Sequence, residues 1–318
     1  MTLQGGLAGA LSDSALFQLV GVLRESGYRF VTVSPVTHQR VNTRPGNESA
    51  FSLAGVFGWS RPFSRQILPV GMFELMRRAD ALVEIGDEWK SKIRISTLDD
   101  EFFVHSAYPT ISGDSVFFGP DTYRFAIAVT AHLEARKTPI RRAVDICCGA
   151  GPGAVLIAKA VPDAEVLMAD INAAALRLAR VNAALADVHN ATPYLSNILS
   201  AVEGTFDLMV ANPPYLVDPS LRAYRHGGGP LGAKLSLAIV EAAVERLAPA
   251  GTLVLYTGAA VIKGSDPFKE AAGFRLSAAD LAWSYKEVDP DVFGEELETE
   301  PYRSADRIAA VVLTATRR

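Results

Sequence analysis

Cysteine is scarce in this 318-residue sequence: there are two, and they are adjacent, Cys147 and Cys148. Sequence neighbours rarely pair, and no spaced Cys/His set offers zinc ligands. A reducing cytoplasm is therefore the expected location, and no metal is expected. Long uncharged apolar runs are also missing, although 49% of the residues are hydrophobic. No stretch reaches the length of a membrane span, so no membrane association is expected. The apolar start, MTLQGGLAGALSDSALFQLV, lacks a basic leader and is broken by Asp13; it reads as a frayed end plus a helix rather than a signal peptide. Nor is there an excess of one charge. The formal net charge is −4, with 11 Lys+Arg against 12 Asp+Glu in residues 1–115 and 20 against 23 in residues 116–318. Strong sequence-independent binding to phosphates is not advertised by either part. The basic residues between Arg61 and Arg94 are interspersed with five acids and read as a solvated face.

What is present from Arg141 onward is alternation. RRAVDICC, AEVLMAD, ATPYLS, FDLMVAN and GTLVLYTG read as strands, and PGAVLIAKAVP, NAAALRLARVNAALADV and AKLSLAIVEAAVERLAP as helices. This order argues a parallel sheet covered by helices. DLAWSYKEV and RIAAVVLTA then follow with no helix between them, joined by the acidic segment 289–306, and read as an antiparallel pair closing the sheet edge. Residues 1–115 read as a separate, smaller α+β domain. Its expected elements are a helix over 13–25 ending at Gly27, a second over PVGMFELMRRADALVE, and a hairpin turning at Asp99-Asp100. A helix followed by a hairpin fits a winged-helix-like unit; a small α+β lid is the alternative. Residues 106–120 read as the linker.

Two elements of the second part carry chemistry. In VDICCGAGPG, residues 144–153, glycines between a strand and a helix let the chain turn sharply and let a ligand touch the backbone. In VLMADIN, Asp170 ends the next strand 19 positions after Gly151, where a carboxylate accepts both hydroxyls of a ribose. The pair points to an adenosyl ligand, either a dinucleotide or S-adenosylmethionine. Asp145 at the head of the loop suits a ligand with an ammonium and a sulfonium. The antiparallel pair at the end replaces the second mononucleotide half that a dinucleotide fold expects.

From these residues the chain over about 120–318 resembles the class I S-adenosylmethionine-dependent methyltransferases. The resemblance implies a Rossmann-like sheet of seven strands whose last strand is antiparallel, a methyltransferase domain over 116–318, and S-adenosylmethionine as cofactor. It implies that Asp145 and the loop residues Cys147, Gly149 and Gly151 hold the methionine part, and that Asp170 holds the ribose. Cys147 stands where the family usually has its first loop glycine, and Gly153 is extra. Asn197 in YLSNIL falls where an acid often contacts the adenine amine in this family; an amide can accept the same bond with less charge assistance.

The stretch LMVANPPYLV, residues 208–217, ends a buried strand on Asn212-Pro213-Pro214-Tyr215. Such a strand end borders the ligand crevice of an open parallel sheet, so Asn212 counts with both cofactor and substrate. Its side-chain carbonyl and the backbone carbonyl of Pro213 can each accept one N–H of an –NH2 group. That orients a nitrogen whose lone pair is otherwise delocalised, by position and electrostatics rather than by a base. The prolines stiffen the turn, and Tyr215 is placed to stack on a flat substrate group. The plain alternative is an Asx turn capping the strand. The tetrapeptide resembles that of the Asn-Pro-Pro-Tyr amino-methyltransferases, which act on the glutamine amide of proteins or on exocyclic amines of nucleobases.

FFGPDTYRF, residues 117–125, precedes the first helix of this domain and resembles the Pro-acid-Thr segment of the release-factor glutamine methyltransferases. YRHGGGPLG, residues 224–232, resembles their glycine-rich stretch after the tetrapeptide. Looser forms of both occur in ribosomal-RNA amine methyltransferases, and residues 1–115 do not resemble the all-helical recognition domain of the release-factor group. His226 reads as a loop histidine bonded to the backbone, Trp283 and Tyr285 as core, and Phe293 as a lid residue. The expected function is methylation of a planar –NH2 on a macromolecular substrate, a protein glutamine or a nucleobase in RNA or DNA, with residues 1–115 for recognition. A small-molecule amine, a silent S-adenosylmethionine-binding scaffold, and a dinucleotide oxidoreductase are the alternatives.

Overall fold

The computed structural model describes residues 3–318 and divides into two units. The first comprises residues up to 111 with 116–120 and 181–187. It begins with α1 (Leu3–Glu25), which starts earlier than its apolar spacing predicts. Leu16, Leu19, Val20 and Leu23 are its buried stripe. It ends in left-handed Gly27, with Tyr28 N–H bonded back to the Leu23 carbonyl. Ser34 and Ser52 cap the short helices α2 (Pro35–Asn42) and α3 (Leu53–Phe57).

The helix expected over 69–84 is two elements: α4 (Met72–Arg78) stops before left-handed Asp80, and β1 (Leu82–Ile85) pairs with β2 (Glu88–Ser91). The second hairpin, β3 (Ile93–Leu98) with β4 (Glu101–Ser106), turns at Asp99-Asp100. Both its strands bury their middles.

The second unit comprises residues 112–115, 121–180 and 188–318. It contains α5 (Pro120–Ala135) from Asp121 onward, β5 (Arg142–Ile146), α6 (Pro152–Ala160), β6 (Glu165–Asp170), most of α7 (Ala173–Leu185), β7 (Ala191–Leu195), β8 (Phe206–Ala211), α8 (Lys234–Arg246), β9 (Leu247–Val261), α9 (Pro267–Ala278), β10 (Leu281–Asp289) and β11 (Arg307–Arg317). The Pro-acid-Thr segment therefore does not precede a helix; it is the first turn of α5. Helix α9 has no counterpart in the sequence expectations. Asp266 caps it by accepting the Lys269 N–H, and Pro267 is its first residue.

The seven strands stand in the order β10-β11-β9-β8-β5-β6-β7. β5 to β9 are parallel, and β11 runs antiparallel to both β9 and β10, wedged between them. The core lies on the helix-covered faces, with Val144, Met209, Leu253, Leu255 and Val311 from the sheet against Ile239 and Val240 of α8 and Phe268 and Leu276 of α9. The strand order reverses between β5 and β8, because their onward connections leave in opposite directions. The carboxyl ends of β5, β6 and β8 thus border the crevice where such sheets take ligands.

Candidate active site

Asp145, next to last in β5, is 1% exposed. Its Oδ2 accepts the Ala154 N–H at 2.9 Å, from the first turn of α6. A Cβ on Gly153 would lie 2.7 Å from that oxygen and 2.9 Å from the Phe125 ring, so the extra glycine of the loop makes room for the carboxyl. Burial pushes Asp145 up to about 7, with the nearby Asp170 charge adding to the shift and the helix N–H groups opposing it.

Beyond β5 the chain bends through left-handed residues: Cys147 at φ 57°, Gly149 at 53° and Gly151 at 82°. Two of these are glycine, for which the conformation is free of Cβ strain; Cys147 bears that strain. Both cysteines are unpaired, and burial beside Asp170 and Asp145 raises their thiols. A raised thiol is a weaker nucleophile near neutral pH than a free one.

Asp170, the last residue of β6, ties the loop down. Its Oδ2 accepts the Gly149 N–H and its Oδ1 the Asn172 N–H, both at 2.9 Å. Burial raises its carboxyl, and these backbone donors hold it back. On the same edge the Ser196 N–H donates to the Asp170 carbonyl at 2.9 Å, and Asn197 follows, exposed. Asp145, Cys147, Gly149, Gly151, Asp170 and Asn197 thus come together along the ends of β5, β6 and β7.

Asn212 follows β8 directly and is partly exposed; Pro213 is buried. The expectation that Tyr215 stacks on substrate is not met. The residue is 5% exposed, and its hydroxyl donates to Asp121 Oδ2 at 2.7 Å. Its ring fills the space over Gly258, where a Cβ would fall 2.2 Å from a ring carbon, and Phe293 meets it edge-on at 5.9 Å. The other Asp121 oxygen accepts from the Tyr256 hydroxyl at 2.7 Å and lies 3.3 Å from Arg124, which pairs with Asp289 at 2.7 Å.

The glycine-rich loop packs backbone to backbone on the turn. A Cβ at Gly227 would lie 2.6 Å from the Pro214 carbonyl oxygen, and one at Gly232 would lie 2.0 Å from that of Tyr215. Leu216 exchanges backbone bonds with Arg225 and Gly227. His226 Nδ1 accepts the Asp218 N–H at 3.1 Å, the backbone role expected of it. Asp218 is held by both ends of the Arg222 guanidinium, which pulls its carboxyl down to about 2. From the acidic segment, Tyr302 accepts the Val217 N–H at 3.0 Å, and Glu296 pairs with Arg225. Arg225 also lies over the Phe293 ring at 5.9 Å. Trp283 packs on Gly273, and Tyr285 donates to Asp266; both belong to the α9 side of the unit rather than to the turn. A groove of about 500 Å³ runs beside this loop, lined among others by Pro230, Leu231, Lys234 and Phe268.

Sequence reasoning missed Asp121, Arg124, Tyr256, Gly258 and Asp289. The Pro-acid-Thr match marked the segment of Asp121 without assigning it a role. Tyr256 was also visible as a phenol inside an apolar strand, a position that needs a partner for its hydroxyl. Among the described residues no group of three or more His, Cys, Asp or Glu is placed to hold a metal ion, and no helix is long and apolar enough to cross a membrane.

Residues 126–262 match the methyltransferase small domain family. The chain is 31% identical over 176 residues to the release factor glutamine methyltransferase of Deinococcus radiodurans, covering 51% of this chain and 58% of that one. It is 35% identical over 162 residues to the 4-amino-L-phenylalanine/4-methylamino-L-phenylalanine methyltransferase of Streptomyces pristinaespiralis, covering 44% and 52%. The chain thus spans a little over half the length of these curated relatives. Its fold is shared with the crystal structure of a putative transferase, PH0793, from Pyrococcus horikoshii, at a TM-score of 0.50 and 10% identity over 78% of this chain and 82% of that one. Glycine loop, strand-end acid and sheet order agree with the sequence match: over residues 126–262 the chain is similar to the methyltransferase small domain family.

Proposed function

We propose that the protein is an S-adenosylmethionine-dependent methyltransferase acting on a planar –NH2 nitrogen. The observation that carries this is the placement of Asn212-Pro213 at the end of β8, beside the loop that β5 sends to α6. The donor set fits the cofactor. Positive-φ backbone at half-buried Gly149 lets a ligand approach the main chain, and Gly151 turns the chain where a Cβ would meet Ala179 and Met168. Asp145 lies beneath that loop, and Asp170, whose carboxylate is met by the backbone of Gly149, Asn172 and Ile171, keeps acceptor capacity for a ribose hydroxyl. Asp145, Cys147, Gly149 and Gly151 would hold the methionine part, Asp170 the ribose and Asn197 the adenine. When bound, the cofactor supplies an electrophilic methyl group on sulfur.

The chain's own task is then to present a nitrogen in line. The Asn212 side-chain carbonyl and the Pro213 carbonyl each accept one N–H of the substrate. This fixes the direction of the nitrogen's lone pair and favours the positive charge that grows on it. Both acceptors are neutral, so the amine keeps its protons until it has been methylated, and the surplus proton then passes to water. Asn212 also borders the cofactor side of the crevice, which brings both reactants to one residue.

The substrate is a macromolecule on this reading, a protein glutamine or a nucleobase amine, and the unit formed mainly by residues 1–111 is the recognition domain. A small arylamine is a second reading, favoured by the likeness to the 4-amino-L-phenylalanine enzyme. The two unpaired cysteines favour work in the cytoplasm.

The test is transfer of label from radiolabelled S-adenosylmethionine into a host-cell extract, fractionated into protein, nucleic acid and small molecules. Label removed by protease alone identifies a protein amide, and label removed by nuclease alone identifies a nucleobase. Label confined to the small-molecule fraction supports the second reading. Binding of the cofactor with no transfer into any fraction would leave a silent scaffold and overturn the proposal.

A further inference from the structure

The turn Asn212-Pro213-Pro214-Tyr215 belongs to no helix or strand, yet its two carbonyls must point in fixed directions to hold an amine. Its anchor is the Tyr215 side chain. The phenol of Tyr215 donates to Asp121 Oδ2 at 2.7 Å, and Asp121 in turn receives Tyr256 at 2.7 Å and Arg124 at 3.3 Å on its other oxygen. Arg124 reaches on to Asp289 at 2.7 Å. These residues come from the first turn of α5, the turn after β8, the middle of β9 and the end of β10.

Every part of this arrangement removes a degree of freedom. Asp121 is 5% exposed, and three donors fill most of its lone-pair sites, so the cluster has one satisfied geometry. Tyr256 and Gly258 are two apart on β9 and so face the same side. The first supplies a hydroxyl to Asp121, and the second leaves the gap that the Tyr215 ring fills. The ring is thus fixed at its tip and across its face. Because Pro213 and Pro214 fix their own φ, a fixed Tyr215 leaves little freedom to the carbonyls just before it.

We propose that Asp121 is a positioning residue for methyl transfer: by holding the Tyr215 hydroxyl it sets the turn from which Asn212 and Pro213 grip the substrate's amine, while touching neither substrate nor cofactor. The proposal rests on the reading of Asn212 as the amine clamp. It also explains why the Pro-Asp-Thr segment and the tetrapeptide, 94 positions apart between Asp121 and Tyr215, belong to one device.

The experiment compares wild type, Asp121→Asn, Tyr215→Phe and the double variant. Each is assayed for initial rate of label transfer into the extract, KM and Kd for S-adenosylmethionine, and thermal midpoint. Asp121→Asn replaces one accepting oxygen by an NH2 that faces a donor, and Tyr215→Phe deletes the same bond from its other end. Each is expected to lower the rate roughly 10- to 100-fold, with cofactor KM and Kd within about twofold of wild type. The double variant is expected to be no slower than the slower single, since both break one link.

An unchanged rate in Asp121→Asn overturns the proposal. So does a double variant that loses the product of the two single losses, or a loss of cofactor affinity equal to the loss of rate, which would mark Asp121 as a general prop. If Asp121→Asn fails to fold, Tyr215→Phe decides alone, because Asp121 there keeps Tyr256 and Arg124; a wild-type rate in that variant overturns the proposal. A wild type that transfers no label takes down the function and this proposal together. Transfer by wild type with an indifferent Asp121→Asn takes down this proposal only.

Discussion

The two sides of the crevice are built on different plans. The proposed cofactor side, at the ends of β5, β6 and β7, is local: Asp145 bonds nine positions ahead to Ala154, and Asp170 bonds 21 positions back to Gly149. Its partners are backbone N–H groups, which any sequence can supply once the turn is made. The proposed amine side, at the end of β8, is held from a distance. Tyr215 reaches Asp121 across 94 positions, Tyr256 reaches it across 135, and Arg124 reaches Asp289 across 165. Its partners are particular side chains. A binding edge for a common cofactor can be a short motif, whereas a rigid clamp on a loop needs support from several elements.

The sharpest way to separate the two sides is Asn212→Ala. If the sides are independent, this variant binds S-adenosylmethionine as wild type does and loses turnover by roughly two to three orders of magnitude, about 2.7–4 kcal/mol of transition-state stabilisation. Calorimetric titration of the cofactor alongside label transfer checks both halves. Wild-type turnover in the variant would remove Asn212 from the mechanism, and lost cofactor binding would show that the sides are coupled.

The cofactor side also has a pH signature. Asp145 titrates near 3.8 in the unfolded chain and near 7 when buried. Between those values the folded state holds a proton that the unfolded chain has released. Its burial therefore costs nothing below about pH 4, destabilises progressively up to about pH 7, and costs a constant amount above. The full cost is about 4 kcal/mol. Asp145→Asn should be little different from wild type near pH 4 and more stable near pH 8, as read by thermal unfolding of the cofactor-free protein. A gap between the two that stays constant with pH would mean the carboxyl is ionised throughout.

This contrast also explains what could be read from the sequence. The β5-α6-β6-α7 run, the glycine loop and Asp170 were legible because period, spacing and turn chemistry are all local. The Asn-Pro-Pro-Tyr turn was legible as a motif, but Tyr215 was misjudged. An aromatic at a strand end looks available for stacking until Gly258 and Asp121 are seen to enclose it. Helix α9 was missed although Asp266-Pro267 spelled its start, because its buried side includes Gly273 and Ala272 beside Phe268 and Leu276 and gives little apolar rhythm. The helix expected over 69–84 was too long because nothing in ADALVE signals the left-handed turn at Asp80.

A third test bears on the ribose site. Asp170→Ala should weaken S-adenosylmethionine binding by more than tenfold, over about 1.4 kcal/mol, and leave the thermal midpoint within a few degrees. The midpoint matters, since Asp170 also holds the Gly149 and Asn172 N–H groups. Unchanged affinity would withdraw the ribose assignment; a collapsed fold with intact affinity in the surviving fraction would make the residue purely structural.

The smallest effect belongs to Cys147, the one loop residue where this chain departs from the family's glycine. Its φ of 57° costs a residue with a Cβ roughly 1–2 kcal/mol, which glycine avoids. Its side chain also packs on the core cluster, so a change to glycine loses contact while it relieves strain, and the two nearly offset. Comparing Cys147→Gly with Cys147→Ala separates them, because both lose the sulfur and only alanine retains the strain. The glycine variant should be more stable than the alanine variant by about 1 kcal/mol, after subtraction of glycine's greater unfolded-state freedom. That corresponds to a difference of about 2–4 °C in thermal midpoint. Equal midpoints would mean that the loop yields at Cys147 without cost, and that the cofactor side is less rigidly preset than its hydrogen bonds imply.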